Sequence, residues 1–113
     1  MVDYAFARDE IMQLVRDIAD GGCDKLEADG RIGWLTTDEL RDTLVEYGRT
    51  VLPLSDELYD AADWFEIEGE KDLWSVDVPM LTKEEGRSDL TLQLQVKLEN
   101  GDVLVRIEAL HVL

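Results

Sequence analysis

The C-terminal part of the chain contains the pattern that most restricts how this sequence can fold. From Leu90 to Leu98 apolar residues alternate with polar ones, which is typical of a strand with one buried face. Asn100-Gly101 follows at once and favours a two-residue hairpin turn with positive φ angles. Counting outward from this turn pairs Glu99 with Asp102, Leu98 with Val103, Val96 with Val105, and Leu94 with Ile107. A slip of one residue would expose one strand's apolar set, so the pattern specifies the register.

The second strand of this hairpin changes phase before its end. Leu110 and Val112 lie in the opposite phase from Ile107, so we expect a β-bulge near Glu108. Simple pairing without a bulge places His111 opposite Leu90, on the apolar face. The far face of the sheet is polar enough to meet solvent or a partner, and carries Thr91, Gln93, Gln95, Arg106 and Glu108.

The first half of the chain has helical spacing. A first helix is predicted between a cap at Asp3 and Gly21-Gly22, with a stripe of Tyr4, Ala7, Ile11, Leu14, Val15 and Ile18. Residues 23–35 are expected to be irregular. A second helix starts at the capping box Thr36–Glu39 and ends at Pro53, with a stripe of Leu40, Leu44, Tyr47 and Val51. Ser55 is expected to cap a short third helix with Leu58, Ala61, Ala62 and Phe65 on its apolar side.

Two further strands are predicted, over residues 64–68 and 73–81, before a charged loop at residues 83–88. Pro79 cannot donate a hydrogen bond, so its strand should have a free edge there. The predicted fold is therefore α+β, with two to three N-terminal helices packed on one face of a three- to four-stranded antiparallel meander. Residues 1–113 are expected to form a single domain.

The charge of the chain is its most unusual property. There are 27 acidic residues against 11 basic ones, and the formal net charge is -16. Such a field repels phosphate backbones and anionic lipids, so we predict no direct nucleic-acid binding and no membrane binding. A basic protein partner is the natural complement. Solubility, or adaptation to a salt-rich cytoplasm, would explain the same charge, and the scarcity of Lys agrees with the latter.

Three features favour a cytoplasmic protein. No apolar run approaches the ~20 residues that span a bilayer, and acids interrupt the apolar pattern at the N-terminus, unlike a signal peptide. The single Cys23 cannot form an internal disulfide, which suits a reducing compartment. The sequence makes no prediction of oligomeric state.

The densest acidic segment is the predicted partner-binding surface. Eight acids lie between Asp56 and Asp72, with Lys71 as the only base among them. Aromatic residues are interleaved with these charges, and interface centres favour aromatics. The predicted contact residues are Asp56, Glu57, Tyr59, Asp60, Asp63, Trp64, Glu66 and Glu68. The alternative is a solvated acidic face whose aromatics belong to the core.

No catalytic site, metal or cofactor is predicted. His111 has no second His or Cys to complete a metal site and no visible nucleophile to activate. The segment Asp24 to Leu40 resembles an EF-hand loop, but with Gly30 at loop position 6 the first and last ligand positions fall on Lys25 and Thr36. Calcium is therefore not expected to bind tightly there.

Two resemblances are based on order and local sequence. Helices, then a curved antiparallel sheet ending in Ala109-Leu110-His111-Val112-Leu113, resemble the cone-shaped nuclear transport factor two-like superfold. That resemblance implies a pocket between sheet and helices. Trp74-Ser75-Val76-Asp77-Val78-Pro79, with the segment from Glu85 to Thr91, resembles small uncharacterised bacterial domains and implies no activity.

In size and acidity the chain is also similar to immunity proteins that neutralise bacterial nuclease toxins. The leading hypothesis is accordingly a small acidic inhibitor that binds a basic partner. The alternative is a cone-fold small-molecule-binding or enzymatic domain, with His111 or a buried carboxylate in its pocket.

Overall fold

The computed structural model describes residues 4–112 and confirms the α+β fold, with helices first and a curled antiparallel sheet after them. A short 3-10 turn over Ala5–Ala7 leads into the first helix. The helices are α1 (Arg8–Ala19), α2 (Cys23–Ala28), α3 (Thr37–Tyr47) and α4 (Asp56–Asp60). The strands are β1 (Val51–Leu52), β2 (Asp63–Glu66), β3 (Leu73–Thr82), β4 (Gly86–Glu99) and β5 (Asp102–Val112). Asp3, the predicted cap of the first helix, lies outside the described residues.

The sheet is built around the meander of β3, β4 and β5. Its order is β1-β3-β4-β5, and β2 pairs with β3 beside β1, all antiparallel. The pairing of β2 with β3 ends at Asp77 and that of β1 begins at Leu81. No described strand pairs with Pro79 on that side, which confirms the predicted free edge.

The β4–β5 hairpin has the predicted register. Leu94 pairs with Ile107, and φ is 52° at Asn100 and 82° at Gly101. The register shifts between Gln93 and Leu94, because Gln93 pairs with Ala109 and Glu108 is the extra residue of a bulge. The bulge makes the prediction for His111 wrong: its partner is Thr91, and it lies half-buried on the face away from the core.

One hydrophobic core fills the space between the sheet and α1. Ile11, Leu14 and Val15 of α1 have no exposed surface, and most of the apolar face of β3 and β4 is buried to the same extent. The residues of the sheet in this core include Val76, Val78, Met80, Leu90, Leu92, Leu94, Val96 and Ile107. Each such burial contributes roughly 1.5 to 3 kcal/mol before entropy is counted, so this interface dominates stability.

Local capping signals predicted two helix starts correctly. The Thr36 hydroxyl accepts a hydrogen bond from the Glu39 N–H at 3.1 Å, and the Glu39 carboxylate accepts one from the Thr36 N–H at 3.2 Å. Ser55 accepts one from the Leu58 N–H at 3.2 Å and so starts α4. These bonds satisfy amides that the first helical turn leaves without partners.

Other boundaries differ from the prediction. The helix that starts at Thr36 ends at Gly48, whose φ of 68° suits a glycine cap, so Val51 lies in β1 and Pro53 is not the stop. Residues 23–35 are not wholly irregular, because α2 buries Cys23 and Leu26. A helix of six residues is too short to show a periodic pattern. The charged loop is also shorter than predicted, since β4 already begins at Gly86.

The segment after α2 closes the outer edge of β5. The Gly33 N–H donates to the Ile107 carbonyl and the Ile107 N–H donates to the Arg31 carbonyl, both at 2.8 Å, which forms a parallel bridge from Ile32 to Ile107. A Cβ on Gly33 would lie 2.7 Å from the Ile107 carbonyl oxygen, so this close crossing requires glycine. No helix within residues 4–112 is long and apolar enough to cross a membrane.

Truncations on the two faces of the hairpin should lower the free energy of unfolding by different amounts. Leu94→Ala removes a fully buried side chain and should lower the free energy of unfolding by about 2 to 5 kcal/mol. Leu104→Ala, on the opposite face of β5 where Leu104 is 42% exposed, is the matched control and should cost less than about 1 kcal/mol. Urea denaturation measures both, and equal losses would contradict the assigned faces.

Candidate functional site

The eight predicted contact residues lie along α4 and the β2–β3 hairpin. Their acids are all exposed: Asp56, Glu57, Asp60, Asp63, Glu66 and Glu68. Tyr59 is buried, and Trp64 is half-buried. The acids are therefore available to a partner, whereas the two aromatics belong largely to the protein's own packing.

Arg8 of α1 forms ion pairs with two of the three acids of α4. Its guanidinium contacts the carboxylate of Asp56, lies 3.8 Å from that of Asp60, and sits 5.1 Å above the centre of the Tyr59 ring. The Tyr59 hydroxyl donates a hydrogen bond of 2.5 Å to the Tyr4 carbonyl. Asp56 and Asp60 thus have a cation within the chain, which the acidic run alone could not reveal.

Trp64 belongs to a cluster of four aromatic rings, hereafter the aromatic cluster: Tyr4, Phe6, Trp64 and Trp74. Tyr4 stacks on Trp64 with ring centres 4.0 Å apart, and the rings of Phe6 and Trp74 lie 5.2 Å apart. Trp64 and Trp74 meet edge to face at 6.2 Å. Phe6 is 37% exposed, so the cluster reaches the surface beside α4 and β2.

The register of β2 divides its side chains between the two faces of the sheet. Trp64 pairs with Val76 on the core face, whereas Phe65 pairs with Ser75 and Asp63 with Asp77 on the opposite face. That opposite face is hereafter the outer face. Phe65 is 52% exposed there. Within residues 4–112, no ion pair reaches Asp63, Glu66 or Glu68, and these three acids are hereafter the acidic edge.

The outer face also holds a pocket, hereafter the outer-face pocket, with a cavity volume of about 370 Å³. It is lined by Trp34, Ile67, Ser75, Gln93, Gln95 and Glu108. Gln93, Gln95 and Glu108 were predicted to face solvent or a partner. Trp34 and Ile67 were missed, because they reach the cavity from opposite edges of the curled sheet. The one available signal was a tryptophan in a polar, glycine-containing segment.

Glu108 is the charged group of this pocket. The Trp34 backbone N–H lies beside its carboxylate, and Oε1 lies 3.0 Å from the position of a Cβ on Gly33. Oε2 is buried and has no hydrogen-bond partner among the described residues. Burial raises the pKa of Glu108 above its usual value, although the Arg106 charge and the Trp34 N–H act in the opposite direction.

A second cavity, of about 520 Å³, opens between α1, the Lys25–Arg31 segment and β5. At its base Asp17 accepts hydrogen bonds from Arg31 at 2.7 Å and from Gln13 at 3.0 Å, with the Lys25 ammonium 3.6 Å away. Burial alone would raise the pKa of Asp17, but the hydrogen bonds and charges of these neighbours lower it below its usual value. The Asp17 carboxylate is therefore satisfied within the chain, whereas Nε of Arg31 is buried without a hydrogen-bond partner among the described residues.

In the segment that resembles an EF-hand loop, two acids form internal ion pairs. Asp24 binds Arg41 at 2.8 Å, and Asp29 binds Arg31 at 2.9 Å. Among residues 4–112, no group of three or more His, Cys, Asp or Glu side chains could hold a metal ion. Weak or absent calcium binding at residues 24–36 stays a prediction, which titration calorimetry tests: micromolar affinity would contradict it.

Residues 15–113 match the model of a domain of unknown function, DUF7668. The chain belongs to the DUF7668 family. All residues of the outer-face pocket and of the acidic edge lie within the DUF7668 match, whereas Tyr4, Phe6 and Arg8 precede it. Comparisons with curated proteins and with solved structures found no match. The resemblances to the cone-shaped superfold and to immunity proteins therefore stay predictions for this DUF7668 domain.

Breaking the buried ion pair should destabilise the DUF7668 domain strongly. Arg31→Met leaves the Asp17 carboxylate buried without its main partner and should cost about 3 to 5 kcal/mol at neutral pH. Arg41→Met removes a solvent-exposed partner of Asp24 and is the matched control, with a much smaller expected loss. Chemical denaturation of both variants measures the difference. Similar losses would contradict the structural role assigned to Asp17 and Arg31.

Glu108 should give the DUF7668 domain a pH-dependent stability. The pKa of Glu108 is raised in the folded state, so protonated Glu108 adds to the stability of the fold. This contribution is full below the ordinary Glu pKa and is lost as pH rises through the raised pKa. Glu108→Gln should therefore be more stable than the parent protein at neutral pH, with an advantage that shrinks on acidification. Glu46→Gln, at an exposed site on α3, controls for the general relief of self-repulsion. Identical pH profiles of the two variants would refute the assignment.

Proposed function

We propose that this DUF7668 domain is a small binding protein that docks its acidic edge onto a basic protein partner, as an inhibitor of the immunity-protein kind would. The observation that carries the proposal is the acidic edge itself. Its three carboxylates are exposed and form no ion pair within residues 4–112, whereas Arg8 contacts Asp56 and Asp60 of α4. A partner that docks here would therefore supply the positive charge that β2 and the turn after it lack.

The outer face adds an electrostatic cost that a basic partner would remove. Asp63 lies directly opposite Asp77, and like charges placed directly across a strand pair destabilise it. A cationic side chain between these two carboxylates would turn repulsion into attraction. The net charge of -16 would extend this attraction beyond contact and speed the encounter with a basic surface.

Phe65 favours partner binding over solubility as the explanation of the acidic edge. Charges along an edge strand such as β2 also protect a sheet from aggregation, and that role would account for the acidic edge alone. It does not account for a half-exposed phenylalanine placed among the acids. A large aromatic surrounded by polar groups is typical of the anchor of a protein interface.

The alternative, a cone-fold domain with a ligand pocket between sheet and helices, has less support. Side chains from both layers fill the middle of that space, where Ile11, Leu14 and Met80 have no exposed surface. The cavity of about 520 Å³ between α1 and β5 lies at its edge, and the Asp17 carboxylate in it is already paired with Arg31. The outer-face pocket lies on the other side of the sheet, beside the acidic edge. The acidic edge and the outer-face pocket are both open to a protein partner.

The test compares two triple variants that remove equal charge. Asp63→Asn, Glu66→Gln and Glu68→Gln together neutralise the acidic edge. Glu27→Gln, Asp42→Asn and Glu46→Gln together neutralise three exposed acids of α2 and α3. Affinity capture from the native lysate at low and high salt should recover a basic protein with the parent chain and the control, but lose it with the edge variant. Recovery of the same proteins by both variants would overturn the proposal.

Kinetics with the captured partner should show where the edge acts. Association should slow as salt rises, because charges separated by more than about 8 Å are screened at physiological ionic strength. The edge variant should mainly lower the on-rate and change the off-rate less. Stopped-flow measurement at two salt concentrations tests this, and an on-rate indifferent to salt and to the edge variant would leave the acidity without a steering role.

A further inference from the structure

The outer-face pocket contains an acceptor of positive charge that the protein does not satisfy. Arg106, which pairs with Gln95, acts on the Glu108 charge but forms no ion pair with it within residues 4–112, and Oε2 of Glu108 is buried without a hydrogen bond. A buried carboxylate oxygen without a partner is costly, and the Asp17 carboxylate shows how this protein satisfies one for structural purposes. The carboxylate of Glu108 therefore lacks a donor, and a ligand that enters the cavity lined by Glu108 would supply one by uncovering Oε2.

The walls and floor of the pocket fit a planar cation. Trp34 is 85% exposed, so its indole face is open to a group that enters beside Glu108. The Gln93 amide nitrogen donates to Ser75 Oγ at 3.4 Å, which leaves its carbonyl oxygen as an acceptor. The Gln95 side chain forms no hydrogen bond within the described part of the chain, and Ile67 supplies an apolar contact from the opposite edge. The site thus combines one anion, neutral acceptors and an aromatic face.

This set of groups suits guanidinium better than ammonium. Guanidinium is planar, presents five N–H donors, stacks on aromatic rings and gives up its hydration more easily than an ammonium group. A tryptophan face beside a carboxylate provides both the stacking surface and the counter-charge. An ammonium group would satisfy Glu108 but would leave most of the amide acceptors unused.

We propose that the outer-face pocket binds a guanidinium group, and that an arginine side chain of the basic partner supplies it. The assignment of the arginine to a partner rests on the proposed function, whereas guanidinium binding by Glu108 and Trp34 does not. The pocket, Phe65 and Asp63 share the outer face, so one basic surface would contact Asp63 and Phe65 while its arginine enters the pocket.

The probe is N-acetyl-L-arginine methylamide, titrated into the full 15N-labelled chain. Its control is N-acetyl-L-citrulline methylamide, which has nearly the same shape but a neutral urea head. We expect the arginine probe to shift the Trp34 indole N–H and the Gln93 and Gln95 side-chain amides. It should bind about tenfold more tightly than the citrulline probe, the effect of one charge-assisted hydrogen bond. Equal binding of the two probes would overturn the proposal.

Variants test whether the pocket, rather than the overall charge, recognises the probe. Glu108→Gln should abolish the preference for arginine over citrulline, and Trp34→Leu should weaken the arginine probe by a further, separate factor. Glu46→Gln makes the same change in net charge at an exposed site on α3 and should leave the preference unchanged. If Glu108→Gln and Glu46→Gln weaken binding of the arginine probe equally, the probe is attracted by the overall acidity of the protein. That result would overturn the proposed pocket site. Preserved amide spectra show that each variant is folded.

Two further arms identify the source of the guanidinium and separate this proposal from the previous one. Methylguanidinium binding more tightly than the arginine probe would assign the pocket to a free guanidino compound and overturn the docking role. Partner capture with Glu108→Gln should fall in proportion to the lost arginine preference. If capture fails for the parent chain but the probe binds, the proposed function falls and the pocket stands. If capture succeeds but no variant affects the probe, the pocket falls and the proposed function stands.

Discussion

The burial of one face of β4 is the constraint on which the rest of the structure depends. β4 pairs with β3 on one side and β5 on the other, and Leu90, Leu92, Leu94 and Val96 have no exposed surface. α1 packs its stripe onto the surface that this register creates, since neither layer can bury its apolar side alone. The bulge at Glu108 preserves the arrangement, because it returns Leu110 to the core after the phase of β5 has changed.

The sequence could predict what depends on neighbours along the chain. Asn100-Gly101 fixes the hairpin register, and the Thr36–Glu39 capping box fixes the start of α3, because both signals act within a few residues. Contacts between distant segments were not predictable in this way. Arg8 meets Asp56, and the Gly33–Trp34 segment crosses Glu108, only once tertiary packing has formed. The sequence therefore placed Gln93, Gln95 and Glu108 on the polar face of the sheet, but it could not show that Trp34 and Ile67 join them in the outer-face pocket.

Two carboxylates show how differently this acidic protein uses charge. Asp17 is buried among Gln13, Arg31 and Lys25, which supply the hydrogen bonds and positive charge that its burial requires. Glu108 lies beside one backbone N–H and keeps a buried oxygen without a partner. The hydrogen bonds of Asp17 are complete within the described residues, whereas those of Glu108 are not, and we propose that a ligand completes them.

The parallel bridge between Ile32 and Ile107 has a consequence for the order in which the molecule assembles. The hairpin closes over two turn residues, whereas this bridge joins segments separated by most of the chain, so its loop closure costs more conformational entropy. Two backbone hydrogen bonds hold it. We therefore expect the segment that carries Trp34 to open with a lower free energy than the meander. In hydrogen exchange, the amides of this segment should exchange faster than those of the meander. The pocket could then admit a side chain without global unfolding.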